Sequence, residues 1–372
     1  MDKKLFTPGP LTTSDSVKMA MTRDLGSRDT EFIKVVANTR QMLLELAGVS
    51  KDQGYEAVIM QGSGTFGIES VLSTVIPYDG ELLLIINGAY GERMAKIAAI
   101  HGILTTTLRY EEDELPVPAD VDRILTDETR ITHVAVVHCE TTTGIMNDLN
   151  AIGEIVQKHG KEFIVDAMSS FGAVPVDFKK AGINYLISSS NKCIEGVPGF
   201  SFVICCKESM EKCADQARTL SLDLYSQWKG LEKDSQFRFT PPVQVILAFH
   251  QALIELMEEG GVEGRSHRYF NNYQTLINGM RRLGFEEYLS EELQGYIITT
   301  FLRPLDPAFD FEIFYNKLNE RGFVIYPGKL TKVNAFRIGN IGKLYVEDVH
   351  DLVFAIAEVL NELGVVSCSQ SR

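Results

Sequence analysis

Three groups of residues combine chemically useful side chains with positions where an apolar run gives way to a loop. The first is MQGSGTFGIES (60–70), in which Gly62, Gly64 and Gly67 stand in GxGxxG spacing before a helical pattern. Small residues there let backbone N–H groups at a helix N-terminus approach an anion, and Ser63 and Thr65 add hydroxyl donors. The second is Asp166, which ends the apolar part of FIVDAMSS. A carboxylate at the C-terminal end of a central parallel strand lies where α/β proteins bind ligands, and burying it unpaired is costly. The third is Lys192 in SSSNKCIEGVPGF (188–200), at the end of another apolar run. A partly desolvated lysine has a lowered pKa and becomes an amine usable for a Schiff base. Each has a plain alternative: a glycine-rich turn, a cap for the next turn, a structural salt bridge.

GxGxxG also raises a dinucleotide fold and hence a nicotinamide dehydrogenase. That fold wants an acid at the end of its second strand to hold the ribose hydroxyls. Here Asp79 and Glu81 precede LLLIIN (82–87), which ends in Asn87. Phosphate chemistry survives this mismatch. A phosphate cup, an acid and a lysine, each at a strand end, are the three contacts that pyridoxal phosphate needs. A cofactor-binding protein without turnover is a further alternative, against which the joint presence of Asp166, Lys192 and Arg337 speaks.

These groups need a scaffold. Short apolar runs at 57–60, 82–87, 103–108, 133–138, 163–166, 185–188 and 201–205 predict seven strands, with helical patterns such as 91–102 and 151–160 between them. Near-continuous apolar strands separated by helices indicate an α/β protein with a mostly parallel sheet covered on both faces. The short Gly/Pro loop between 185–188 and 201–205 predicts an antiparallel pair. A long helix near 243–259 is then expected to lead into YIITTFL (296–302), a helix near 309–321, FVIYP (323–327), AFRIG (335–339) and a helix over 346–363. The expected organisation is an extended segment (1–15), a large domain (16–250) and a smaller C-terminal α/β domain (251–372).

Composition narrows the classes. Hydrophobic content of 45% and charged content of 23% are ordinary for a globular chain. The net charge of −14, from 36 basic and 50 acidic residues, disfavours nucleic acid as a partner. MDKKLFTPGP lacks the apolar core of a signal peptide, and no apolar run approaches the roughly 20 residues that span a bilayer. A cytoplasmic protein with no membrane partner is expected. Its six cysteines show no CxxC or Cys/His ligand spacing, so reduced, buried thiols and no metal site are expected.

The chain resembles the class V, fold-type I aminotransferases. The match runs in order through LFTPGPLTTS (5–14), GSRDTEF (26–32), MQGSGTFGIES (60–70), NGAYGERM (87–94) and HCETTTGIMND (138–148). It continues through VDAMSS (165–170), SSSNKCIEGVPGF (188–200), FTPPVQ (239–244) and FRIGNIG (336–342). The resemblance implies a pyridoxal 5'-phosphate cofactor and a homodimer with shared active sites. The N-terminal block, HCETTTG and SSNKCIEGVPGF are similar to the branch that uses 2-aminoethylphosphonate and pyruvate. Alanine–glyoxylate and serine–pyruvate aminotransferases share the same machinery and are the alternative.

Position by position, the resemblance implies that Ser63, Gly64 and Thr65 cup the phosphate with help from Asn191. Tyr90 and Met168 would lie on opposite faces of the ring, and Thr141 near its hydroxyl. Asp166 would pair with the ring nitrogen and Lys192 would hold the aldehyde. Thr240 would reach a neighbouring subunit's phosphate. Arg337 would grip an anionic substrate, with Arg28 as a second candidate. Read as residues alone, Tyr90 and Met168 fit the core better, and Arg337 could equally be a structural ion pair.

Overall fold

The computed structural model describes residues 2–328, 330 and 333–370. Lys4–Leu5 forms a two-residue strand, β1. The main sheet uses Tyr55–Gln61 (β2), Glu81–Ile86 (β3), Leu104–Arg109 (β4) and Ile131–Val137 (β5). A small hairpin, Cys139–Glu140 (β6) with Ile145–Met146 (β7), precedes Glu162–Asp166 (β8), Tyr185–Ser189 (β9) and Phe200–Cys206 (β10). The seven long strands lie in the order β2-β10-β9-β8-β5-β3-β4. All the pairings are parallel except those of β10, which runs antiparallel to both β2 and β9. This is the α/β architecture expected from the apolar runs, including the antiparallel pair around the Gly/Pro loop.

Position in the sheet explains the strand sequences. Every residue of β3 (ELLLII) is buried, because neighbouring strands and covering helices leave neither face to water. At the edge, β4 (LTTTLR) mixes exposed and half-buried residues, and its threonines suit that half-wet position. The helix Gly64–Val75 packs on β2, β9 and β10, and the helix Ala89–Ile100 packs on β3 and β4. The C-terminal ends of β2, β3, β5, β8 and β9 therefore open on one side of the sheet, where ligands of open α/β sheets bind.

A second sheet follows: Ile298–Leu302 (β11), then Phe323–Val324 (β12), Tyr326–Pro327 (β13) and Ala335–Gly339 (β14). β11, β14 and β13 form an antiparallel sheet in that order, while β12 pairs in parallel with β1. FVIYP is thus two short strands serving two sheets, with buried Ile325 between them. The N-terminal segment, expected only to be extended, is held by this pairing, by Phe6 in the core and by Gly339 N–H donating to the Phe6 carbonyl at 3.0 Å.

One long helix, Gly261–Arg282, goes beyond the sequence reading. Its GVEGRSHRYFNN start is glycine-rich and polar, which masks the later stripe of Tyr269, Tyr273, Leu276, Ile277 and Met280. These residues are buried. The helix Val346–Leu363 packs on this one. Between these helices and the small sheet, Phe336 of β14 meets Phe285, Phe301, Phe311 and Phe314 at ring separations of 5.6, 5.8, 5.9 and 5.8 Å.

Phe336 has no exposed surface. Phe336→Ala is expected to destabilise the protein by about 3–5 kcal/mol. Urea unfolding measures this, and a loss under about 1 kcal/mol would show that the aromatic cluster is not a working core.

Candidate active site

β8 and β9 are neighbours, and their register sets Asp166 opposite Ile187. Asp166 is the last residue of β8. β9 ends at Ser189, and the chain turns through Ser190 and Asn191 to Lys192. The acid and the amine therefore emerge from adjacent strand ends into one cleft of about 170 Å³. Ser63, Gly64, Thr65, Tyr90, Met168 and Asn191 line it too. Eight of the twelve residues singled out from the sequence meet there.

Burial governs the titration of the pair. It pushes the Lys192 ammonium down from 10.5 to about 8, against the pull of the Asp166 charge and with the Arg337 charge adding to the shift. It pushes the Asp166 carboxyl up from 3.8 to about 6, opposed by the Met168 N–H and by the charges of Lys192 and Arg93. That N–H donates to Asp166 Oδ1 at 2.9 Å. Lys192 Nζ donates to the Pro8 carbonyl at 2.5 Å, so the N-terminal segment lies against the amine. Gly9 makes this crossing possible. Its φ is +107°, and a Cβ there would come within 2.9 Å of both the Asn191 carbonyl oxygen and Lys192 Cδ.

The opposite wall is the start of the Gly64–Val75 helix. Ser63 occupies the N-cap position, yet its hydroxyl makes no capping hydrogen bond. Its carbonyl accepts from Phe66 and Gly67, whereas the Gly64 and Thr65 N–H groups have no acceptor among the described residues. Two open N–H groups and two hydroxyls at a helix N-terminus can hold a phosphate. A Cβ at Gly64 would press into the Met168 thioether, so that side chain would have to shift.

Tyr90 stands in the first turn of the Ala89–Ile100 helix. That turn is held by Glu140, a fully buried carboxylate that accepts from the Tyr90 N–H at 3.2 Å and the Gly91 N–H at 2.9 Å. Burial raises the Glu140 carboxyl to about 7 in spite of these donors. Glu140 lies within the HCETTTG motif without a role expected from the sequence, and Arg93 is not among the residues expected there. The Arg93 guanidinium lies 4.8 Å over the Tyr90 ring and donates to Thr65 Oγ1 at 3.2 Å. Its spacing three residues after Tyr90, which puts both on one helix face, was the available signal.

Thr141 and Arg337 are not in the wall of this cleft but join each other beside it. Arg337 Nη1 donates to the Thr141 carbonyl at 2.7 Å, and Nε and Nη2 donate to the Pro327 carbonyl at 3.2 and 3.0 Å. Arg337 is 1% exposed and has no carboxylate partner among the described residues. The structural ion pair allowed by the sequence is therefore not what holds it. A buried guanidinium satisfied only by carbonyls keeps its charge for an anion. The Thr141 hydroxyl is buried and has no hydrogen-bond partner among the described residues. Arg28 and Thr240 lie elsewhere, in a polar cleft of about 340 Å³ that includes Ser27 and Arg238.

The arrangement fits pyridoxal phosphate on its own terms. Open N–H groups and hydroxyls suit a phosphate, and a buried acid suits a protonated ring nitrogen. An unpartnered threonine hydroxyl offers a donor, and an amine titrating near 8 suits a carbonyl. Among the described residues no His, Cys, Asp and Glu cluster could hold a metal ion, and no helix is long and apolar enough to cross a membrane.

A family model described as aminotransferase class-V matches residues 13–331. The chain is 50% identical over 368 residues to a protein named 2-aminoethylphosphonate--pyruvate transaminase from Lysinibacillus sphaericus (strain C3-41), covering 99% of each chain. A protein of the same name from Syntrophobacter fumaroxidans (strain DSM 10017 / MPOB) is 50% identical over 361 residues, 97% of each chain. Among solved structures, pyridoxamine-pyruvate aminotransferase from Mesorhizobium loti superimposes with a TM-score of 0.88 at 23% identity, over 98% of this chain and 93% of that one. Alanine--glyoxylate aminotransferase from Nostoc sp. gives a TM-score of 0.88 at 23% identity, over 97% and 96%. At that identity the structures speak to the fold alone. Class V aminotransferases of this fold depend on pyridoxal phosphate.

The lowered amine has a direct reading. Below pH 8 Lys192 is an ammonium without a free electron pair, and above it the neutral amine can add to a carbonyl. Labelling of Lys192 by an aldehyde with borohydride trapping, followed by peptide mass analysis against pH, is expected to have its midpoint near 8. A midpoint near the ordinary 10.5 would show that the cleft does not desolvate it.

Proposed function

Because the chain belongs to the class V aminotransferases, we propose that it moves the amino group of 2-aminoethylphosphonate to pyruvate, giving phosphonoacetaldehyde and L-alanine. The reaction takes place in the cytoplasm, with pyridoxal 5'-phosphate as cofactor. The choice of substrates rests on the near-full-length similarity to the curated aminoethylphosphonate transaminases. The chemistry rests on a single observation: Asp166 and Lys192 leave adjacent strands into one cleft, with their pKa values pushed toward each other.

When bound, the cofactor supplies a reactive aldehyde and an electron-withdrawing ring. Ser63, Gly64 and Thr65, with Asn191, would hold its phosphate, and Tyr90 and Met168 would lie against the ring. Thr141 would offer its hydroxyl to the ring oxygen, and Asp166 would keep the ring nitrogen protonated. Lys192 would hold the aldehyde between turnovers. Once free, its neutral amine would take a proton from the amine-bearing carbon of the donor as general base, and the resulting ammonium would give that proton up on the cofactor side as general acid. A pKa near 8 lets one group do both near neutral pH.

Arg337 grips the phosphonate of the donor and then the carboxylate of pyruvate, since a guanidinium fork suits both anions. Residues 16–250 form the cofactor-binding part and residues 251–372 bring the arginine. A homodimer completes the site, with Thr240 reaching the partner's phosphate and Arg28 near the same junction. Their place in a separate cleft, outside the wall around Lys192, is what a contribution to a second copy requires.

An amino-donor screen on the purified protein, with the carbonyl product identified, tests the reading. The expected outcome is preference for 2-aminoethylphosphonate with release of phosphonoacetaldehyde. Preference for alanine or serine would turn the assignment to the alanine–glyoxylate or serine–pyruvate activity. Arg337→Ala is expected to lower kcat/KM on the order of 10²-fold or more, by removing a buried charged anchor. Lys192→Ala is expected to lose both turnover and the visible absorption of the bound cofactor. Retention of both would overturn the mechanism.

A further inference from the structure

Glu195 is a buried acid, 3% exposed, that the chemistry above does not employ. It lies three residues past Lys192 and closes that turn, its N–H donating to the Lys192 carbonyl at 2.8 Å. Its φ is +66°, a left-handed conformation that side chains hold only where the surroundings over-determine it. The other two such residues, Asp215 and Ser235, are not buried.

What fixes Glu195 is the Gly261–Arg282 helix. Its Oε1 accepts from Tyr269 Oη at 2.6 Å and Arg268 Nη2 at 2.7 Å, with Arg265 Nη1 at 3.4 Å. Arg265 Nη1 also donates to the Cys193 carbonyl at 2.5 Å, gripping the residue next to Lys192. The same helix residues hold the turn that follows β14. Arg268 Nη1 donates to the Gly342 and Leu344 carbonyls at 2.7 and 3.0 Å, and Gly342 N–H donates to Tyr269 Oη at 3.0 Å. Glu259 accepts from both arginines, so the cluster keeps a second carboxylate. One buried carboxylate thus ties the lysine turn to the end of the strand that carries Arg337.

We propose that Glu195 is a positioning residue: through Tyr269 and Arg268 it sets the separation between the Lys192 amine and the Arg337 guanidinium. This rests on the aminotransferase reading. A donor must reach both groups at once, its amine at one end and its anion at the other. A ligand that touches only one end is indifferent to their spacing. Misplacement by about 1 Å can cost on the order of 10²-fold in rate while leaving each half-site intact.

The test uses the holoenzyme and its Glu195→Gln and Tyr269→Phe variants with three ligands: pyridoxal phosphate, ethylphosphonate and 2-aminoethylphosphonate. Ethylphosphonate carries the anion without the amine. Affinity for pyridoxal phosphate, from visible absorbance, and for ethylphosphonate, from competitive inhibition, are expected to stay within about twofold of wild type. Meanwhile kcat/KM for 2-aminoethylphosphonate falls about tenfold or more in Glu195→Gln. Tyr269→Phe removes only one hydroxyl and is expected to show the same pattern, at about threefold or more, which decides the matter if Glu195→Gln does not fold. Unchanged kcat/KM in folded variants overturns the proposal. So does a loss of pyridoxal phosphate or ethylphosphonate affinity as large as the loss in kcat/KM, which marks ordinary structural support. Wild-type protein without turnover of 2-aminoethylphosphonate refutes the functional reading instead, and the inference with it.

Discussion

The site depends on the desolvation of one amine beside one carboxylate. Water would hold the Lys192 ammonium charged up to a pH of about 10.5, and burial in the cleft brings the loss of its proton down to about 8. Neither group could be kept in so dry a place by its own loop. The parallel pairing of β8 and β9 does it, because register fixes where each strand stops. Everything around the pair makes that desolvation tolerable. Met168 donates its N–H to the acid, and Pro8 offers its carbonyl to the amine.

The second constraint is that an anionic substrate needs a cation whose charge has not been spent within the fold. Arg40 shows the usual outcome. It is buried but paired with Glu56 and Glu232. Arg337 is equally buried but, among the described residues, bonded only to carbonyls of Thr141 and Pro327. Three hydrogen bonds to two carbonyls orient the guanidinium without neutralising it. Orientation without neutralisation distinguishes a binding arginine from a structural one here.

Much of this was legible in the sequence. The seven strands of the main sheet follow from apolar runs whose positions need no tertiary information, because strands buried on both faces carry continuous hydrophobicity. Asp166 and Lys192 were legible for the same reason, being polar residues at the ends of such runs. The Gly261–Arg282 helix was not, since its polar, glycine-rich start hides the periodicity and packing supplies what propensity lacks. Splitting of FVIYP was hidden as well, because both halves are apolar and only the N-terminal partner of β12 divides them. Glu140 and Glu195 escaped notice because their roles lie in what they hold, the first turn of one helix and the turn after the lysine. A pairing across the fold leaves no local pattern to read.

The pairing of β1 with β12 has a consequence for synthesis. Lys4 and Leu5 leave the ribosome long before their partners Phe323 and Val324. Gly339 and Lys343, whose N–H groups bind the Phe6 and Thr12 carbonyls, come later still. Strands β2 to β10 can assemble while the chain is still growing, as domains generally fold as units from the N-terminus. The segment that places Pro8 over Lys192 must wait for those later partners. A nascent chain can therefore own a finished sheet while its amine still lacks a roof, and the reactive lysine stays open to the solvent until the second sheet arrives.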